Sequence, residues 1–232
     1  MEYQPSSHIL LCIETSSSLC GVAIADIPSR TLVAELSLLE PFLHDKLLAE
    51  ATRSLLQLYG FSLNDVAVVA VSAGPGSFTG LRIGAAFAKA LCFDNTPKLL
   101  PISTTEALAY AAAPYARLLA KTHICVGISS HKHVVYLQHF LLEETSLTAE
   151  DTLHLTEQIP QQPHPTTLYV GSAFQGISTF HALPELAYTT SRMIAMRALV
   201  LLDTQEFVLP EDFIPYYGQE FIPKTLSIAP KT

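Results

Sequence analysis

Positive charge is scarce and scattered in this chain. Thirteen Lys and Arg stand against 21 Asp and Glu, a net charge of −8, and no three basic residues cluster between Arg30 and Lys231. That excludes a protein that grips a phosphate backbone unaided, so any nucleic-acid role is indirect. Cys-x-x-Cys spacing is missing among Cys12, Cys20, Cys92 and Cys125. Cys12 and Cys125 sit inside strand-like apolar runs, and the four read as core thiols of a reducing compartment. No stretch approaches the roughly eighteen uninterrupted apolar residues of a membrane span. The first residues also lack the basic-then-apolar pattern of a signal peptide, so the expected location is the cytoplasm, with no membrane partner. What is present is apolar. With 232 residues, 49% hydrophobic and 15% charged, disorder is excluded, and the length suits one large α/β domain or two lobes, each able to bury a core.

Three short apolar or alternating runs, His8 to Glu14, Cys20 to Asp26 and Thr31 to Leu38, are separated by Ser16-Ser17-Ser18 and Pro28-Ser29 and predict a meander of three strands. From Pro41 to Tyr59 the period changes to that of an amphipathic helix, with Leu43, Leu47, Ala51 and Leu55 on one stripe and Gly60 at its end. Val66 to Ser72 reads as a buried strand, Leu81 to Phe93 as a helix and Lys98 to Ile102 as a fifth strand. Ser103 and Glu106 form a capping-box pair at the head of an alanine-rich helix through Ala113. Three strands followed by alternating helices and strands is the pattern of a mixed sheet with helices on its faces, as in ribonuclease-H-like lobes. The pattern restarts more weakly with strands at His123 to Ser129, His133 to Phe140 and Thr167 to Gly171, and a helix at Arg192 to Asp203. Pro114 interrupts the alanine-rich helix, which places a boundary there. The expectation is an N-terminal lobe over 1–113 and a smaller C-terminal lobe over 114–232.

The sharpest local feature is Gly74-Pro75-Gly76-Ser77-Phe78-Thr79-Gly80-Leu81-Arg82-Ile83-Gly84, a glycine loop carried from a strand into a helix. Such a loop either binds an anion at the helix start or simply makes a tight connection that needs glycine. It is not a Walker loop, because Gly80 is followed by Leu81 instead of the Lys-Ser/Thr pair.

This string, with Ile9-Leu10-Leu11-Cys12-Ile13-Glu14-Thr15-Ser16, the His44 helix start and Ala88-Lys89-Ala90-Leu91, resembles the TsaB (YeaZ) family. That family is the non-catalytic paralogue of the TsaD threonylcarbamoyl transferase. The resemblance is strong over 8–113 and thins to architecture beyond. It implies the two-lobe α/β fold of the actin-like and Hsp70-like (ASKHA) superfamily, with a five-stranded mixed sheet in the first lobe and a reduced second lobe. It also implies a protein that is not itself an enzyme but holds and activates TsaD. The reaction served is threonylcarbamoyl transfer to adenosine in tRNA, with the ATPase TsaE as a further partner, tRNA met only through the complex, and a homodimer in isolation. No cofactor of its own is implied, ATP or ADP entering only with the assembled complex.

Two departures bear on this. Glu14-Thr15 replaces the usual Asp-Thr, and Ser129-Ser130-His131 replaces a frequent Asp-Ala-Arg. The first-strand acid helps position phosphate in superfamily enzymes, and an extra methylene displaces that carboxylate. Glu14, Thr15, Gly74, Gly76, Ser77 and Gly80 thus read as a vestigial nucleotide loop. The His-x-x-x-His metal pair of the TsaD relatives is replaced by Ser103-Thr104-Thr105-Glu106-Ala107-Leu108. His131 and His133 share a strand face but have no third ligand close in sequence, and a solvated turn is preferred. His44, beside Asp45, is read as an interface or capping residue, since no Ser or Cys nucleophile motif accompanies it. The aromatics Phe213, Tyr216, Tyr217 and Phe221 lie among acids and are read as a tail that packs on the protein itself.

A further argument rests on the helix at Leu81 to Phe93. Ile83, Phe87, Ala90 and Leu91 already supply a sheet-facing stripe, which leaves Leu81, Ala85, Ala88 and Cys92 as a surplus of small and apolar residues. With apolar surplus at Leu48, Leu55, Leu56 and Leu58 of the preceding helix, a helix-pair surface is expected to dock on an equivalent pair. The expected contact set is His44, Leu48, Leu55, Leu81, Arg82, Ala85, Ala88, Lys89 and Cys92. The competing classes are a nucleotide hydrolase or small-molecule kinase of the same superfamily and, less well supported, a metallopeptidase.

Overall fold

A computed structural model describes residues 8–39, 44–94, 97–130, 134–180, 182–204 and 207–217. The first sheet is built from β1 (Ile9–Glu14), β2 (Cys20–Asp26), β3 (Thr31–Leu38), β4 (Val66–Ser72) and β5 (Lys98–Ile102) in the order β3-β2-β1-β4-β5. β1, β2 and β3 form the expected antiparallel meander, and β4 and β5 add in parallel beside β1. Parallel neighbours need crossovers, which α1 (His44–Leu58) and α2 (Phe78–Leu91) provide. Because both faces of β1 are covered, its six residues are all buried and read as one continuous apolar run closed by Glu14.

The strand period of two divides the interior. Ile9, Leu11, Ile13, Val22, Ile24, Val69 and Val71 face α1 and α2, while Leu10, Cys12, Ala23, Ala25 and Ala70 face α4 (Ser191–Leu201). α3 (Thr104–Leu118) lies between α4 and the second sheet. That sheet comprises β6 (His123–Ser129), β7 (Val135–Leu142), β8 (Leu147–Ala149), β9 (His154–Thr156) and β10 (Thr167–Val170), ordered β10-β6-β7-β8 with β9 also on β7.

Ser103 caps α3, accepting from the Glu106 amide at 3.4 Å, whereas the Glu106 carboxylate is taken up by Arg197 of α4 at 2.9 Å. The helix does not stop at Ala113. It runs through Pro114 to Leu118, so the boundary expected at 113/114 falls inside α3. Pro114 is exposed, so the turn that loses its bond faces water, while Ala111, Ala112, Ala113 and Ala116 hold the helix in the core. Nor does the chain after 114 stay apart: α4 returns to the first sheet and is tied there by Arg192 to Glu35 of β3 at 2.8 Å. Among the described residues no helix is long and apolar enough to cross a membrane.

Candidate functional site

The glycine loop meets the turn after β1 with no room between them. A Cβ on Gly76 would collide with the Ser16 carbonyl, one on Gly80 with the Thr15 carbonyl, and one on Gly84 with the Thr15 hydroxyl. The loop's polar groups bond within the chain. Ser77 N–H donates to Ser16 O at 2.6 Å, Thr104 N–H to Gly74 O at 2.9 Å and Tyr216 N–H to Ala73 O at 2.7 Å. The Ser77 hydroxyl accepts from Gly80 N–H at 3.3 Å, so the start of α2 is capped from within.

The C-terminal segment completes the closure. Phe213 is buried in the α1 and α2 side of the core, the Tyr216 carbonyl lies hard against Gly74, and the Tyr217 ring packs on Phe78 with centroids 4.8 Å apart. Tyr217 O accepts from the Tyr136 hydroxyl of β7 at 2.8 Å. The segment packs on its own protein, as expected, through Tyr217; Phe221 lies outside the described residues. Glu14, Thr15, Gly74, Gly76, Ser77 and Gly80 are therefore brought together as the sequence suggested, but around each other. The loop is closed by the chain's own backbone at Gly74, Gly76 and Gly80, while Ser77 and Thr79 at the start of α2 are exposed.

Glu14 is fully buried. One carboxylate oxygen accepts from Ser16 N–H and the Ser72 hydroxyl also bonds to the side chain, while Oε2 has no partner among the described residues. Burial pushes this carboxyl up to about 7, against the hydrogen bonds of Ser16 and Ser72, which favour the charged form. The four cysteines are free and buried, and burial raises every thiol, that of Cys20 to about 11 and those of Cys92 and Cys125 to about 12. They are core thiols, as read. No group of three or more His, Cys, Asp or Glu placed to hold a metal occurs among the described residues. His131 and His133 lie outside those residues, as does the His44 side chain at the head of α1.

The surplus strip expected on α2 is core. Leu81, Ala85, Ala88 and Cys92 are buried within the chain, as are Leu48 and Leu55 of α1. None of these six is a free contact residue. The helix is turned by half its circumference relative to the expected phase, and the reason is the glycines. Gly80 and Gly84 must lie against Thr15, so the small residues of their face pack on the sheet. That pair was the signal available in the sequence. The face left outward carries Ala86 and Ala90, flanked by Ile83 and Phe87, which are half-buried against the α1 and α2 side of the core, with Phe93 86% exposed just past the helix end. Arg82, exposed and set over the Phe78 ring at 5.3 Å, and half-buried Lys89 border this stripe and remain available.

Comparison with known proteins follows the same lines. The profile of the family described as TsaD, tRNA N6-adenosine threonylcarbamoyltransferase, matches residues 43–198. The tRNA threonylcarbamoyladenosine biosynthesis protein TsaB of Haemophilus influenzae is 27% identical over 84% of this chain and 83% of its own length. That of Escherichia coli is 27% identical over 87% and 84%. The solved structure of YeaZ from Pseudomonas aeruginosa superposes with a TM-score of 0.75 at 22% identity, covering 90% of this chain and 99% of that one. The chain belongs to the TsaD family, in its TsaB (YeaZ) branch. The YeaZ likeness also shows that this chain has the YeaZ fold. Against that TsaB background, the residues that sequence reading placed wrongly are those of the outward face of α2.

Proposed function

We propose that this chain serves tRNA threonylcarbamoyladenosine synthesis as a subunit that holds the TsaD transferase without performing the transfer. The names of its relatives support the pathway. The loop around Glu14 and Gly76, closed against Thr15, Ser16 and Tyr216 by the chain's own backbone, supports a non-catalytic role. The observation that carries the reading is the outward face of α2. Ala86, Ala90 and Phe93 are exposed along it at helical spacing, Ile83 and Phe87 flank them half-buried, and Arg82 and Lys89 border this apolar stripe.

TsaD, a relative of the same fold, is the occupant of this stripe. It offers an equivalent helix pair, so the contact is a four-helix packing. In its absence a second copy of this chain takes the place, and TsaE joins the assembly through TsaD. tRNA is met through the complex, since the chain itself carries −8. The protein works in the cytoplasm.

Ala86→Arg tests the stripe. The position is exposed on the outward side of α2, so the fold survives. The expected result is loss of co-purification with TsaD, a monomer by light scattering and loss of modified tRNA in a reconstituted reaction, with the melting temperature unchanged. Intact association with both partners would overturn the reading. Ala88→Arg cannot serve, because Ala88 has no exposed surface and the charge would be driven into the core.

A further inference from the structure

Glu14 ends the central strand of the first sheet, and the proposed subunit role makes no use of it. Its cross-strand partner is Gly21, and a Cβ added there would stand 2.9 Å from Ser191 Oγ, in the first turn of α4. Cross-strand partners project to the same face, so Glu14 and Ser191 share one seam between the sheet and α4. Both carry a buried oxygen with no partner among the described residues, Oε2 of Glu14 and Oγ of Ser191.

Among the described residues nothing positive acts on the carboxyl. β2 contributes the Cys20 thiol, β4 the Ser72 hydroxyl, and the turn after β1 Ser16. On α4 the neighbouring Arg192 is turned outward to Glu35, and on α3 Glu106 is held by Arg197. The residue before the α4 cap, Thr189, joins this junction to the start of α3, its hydroxyl donating to Thr104 O at 3.5 Å. Opening at Ser191 therefore reaches the junction of both helices.

We propose that Glu14 is a proton-held latch: neutral, it lets the first turn of α4 close on β1 and β2, and ionised, it puts an unpaired charge in the seam and opens that turn. Burial without a counter-charge is what favours the neutral form, in keeping with a carboxyl raised to about 7. The latch lies on the α4 side of the sheet, opposite the outward stripe of α2. It is thus independent of the TsaD contact.

The test is amide hydrogen exchange on the full chain between about pH 5.5 and 8.5, corrected for the intrinsic rate. In the native chain, opening at residues 191–195 rises roughly tenfold with a midpoint near neutrality, while residues 81–91 of α2 do not change. In Glu14→Gln the rise disappears. The Glu14 carboxyl carbon resonance of the unmodified chain shifts over the same range. An equal rise in Glu14→Gln, or a carboxyl that titrates in the ordinary glutamate range, overturns the latch. Should the glutamine variant fail to fold, the resonance of the native chain decides alone.

Discussion

The first sheet is clothed by helices, α1 and α2 on one face and α4 on the other, whereas the second has α3 on one face and a small aromatic cluster on the other. In the first, strand ends and loops meet through glycine, backbone against backbone. In the second, one such meeting occurs, Gly171 against the Gly127 backbone, and the outer face is packed by side chains: Phe174 lies 5.1 Å from Tyr169 and 4.9 Å from Phe180 by ring centroids. Backbone contacts cannot give way without moving a strand, while side chains can change rotamer. The half that carries the family motif has more of these backbone meetings, at Gly74, Gly76 and Gly80, and so less slack, which suits the rigid mount proposed for it.

Gly80→Ala and Gly176→Ala sharpen this contrast. At Gly80 the new methyl meets the Thr15 carbonyl, so the loop and β1 must part, and about 4 kcal/mol or more of stability is lost in urea denaturation. Gly176 sits on a turn, with φ +75, and no atom lies within 4 Å of an added Cβ. Only the backbone conformation is penalised there, at about 1 kcal/mol. Equal costs at the two positions would remove the distinction. Phe174→Ala follows in size at about 3 to 4 kcal/mol, since the ring is fully buried and its removal leaves a cavity among Tyr169, Phe180 and Cys125.

What the sequence revealed of this arrangement varied with how unambiguous the local pattern was. β2, β3, β4 and β5 were read with the bounds they have, because apolar runs bracketed by turn residues admit one reading. The phase of α2 was not, because both of its faces are apolar and periodicity alone cannot say which one meets the sheet. Gly80 and Gly84 would have decided it. β8 and β9 escaped notice because three residues are too few to show an alternation. The motif residues were found, but their spacing is shared by loops that hold an anion and loops that hold each other. Only the hydrogen bonds to Ser16, Thr104 and Tyr216 tell these apart.

Glu14 links the contrast to pH. Its folded value of about 7 stands above the ordinary 4.5, so the folded state keeps a proton that the unfolded chain has released across that window. Stability is full below about pH 4.5, falls as pH rises toward 7 and levels off beyond. The loss is up to about 3 kcal/mol, measured as the urea midpoint against pH. Glu14→Gln is flat across the same window apart from the remaining groups. A native chain whose stability rises between pH 5 and 7 would require other groups to outweigh the buried one.

The smallest expected effect belongs to the second sheet. Asp151 clamps β7 through two bonds to His139, one from the backbone N–H at 2.8 Å and one with the ring Nδ1 at 2.7 Å. Both side chains are about a third exposed, so water replaces much of what the clamp supplies. Asp151→Ala costs about 1 kcal/mol of global stability. Its larger consequence is local, in faster exchange and proteolysis across residues 147–156, with TsaD association unchanged. Asp151→Asn separates the two bonds. The amide oxygen can still accept from the His139 backbone, so most of the clamp persists if the backbone bond matters most, and little persists if the ring contact does. A loss of several kcal/mol in either variant would mean that the second sheet is held as rigidly as the first, and the contrast between them would fail.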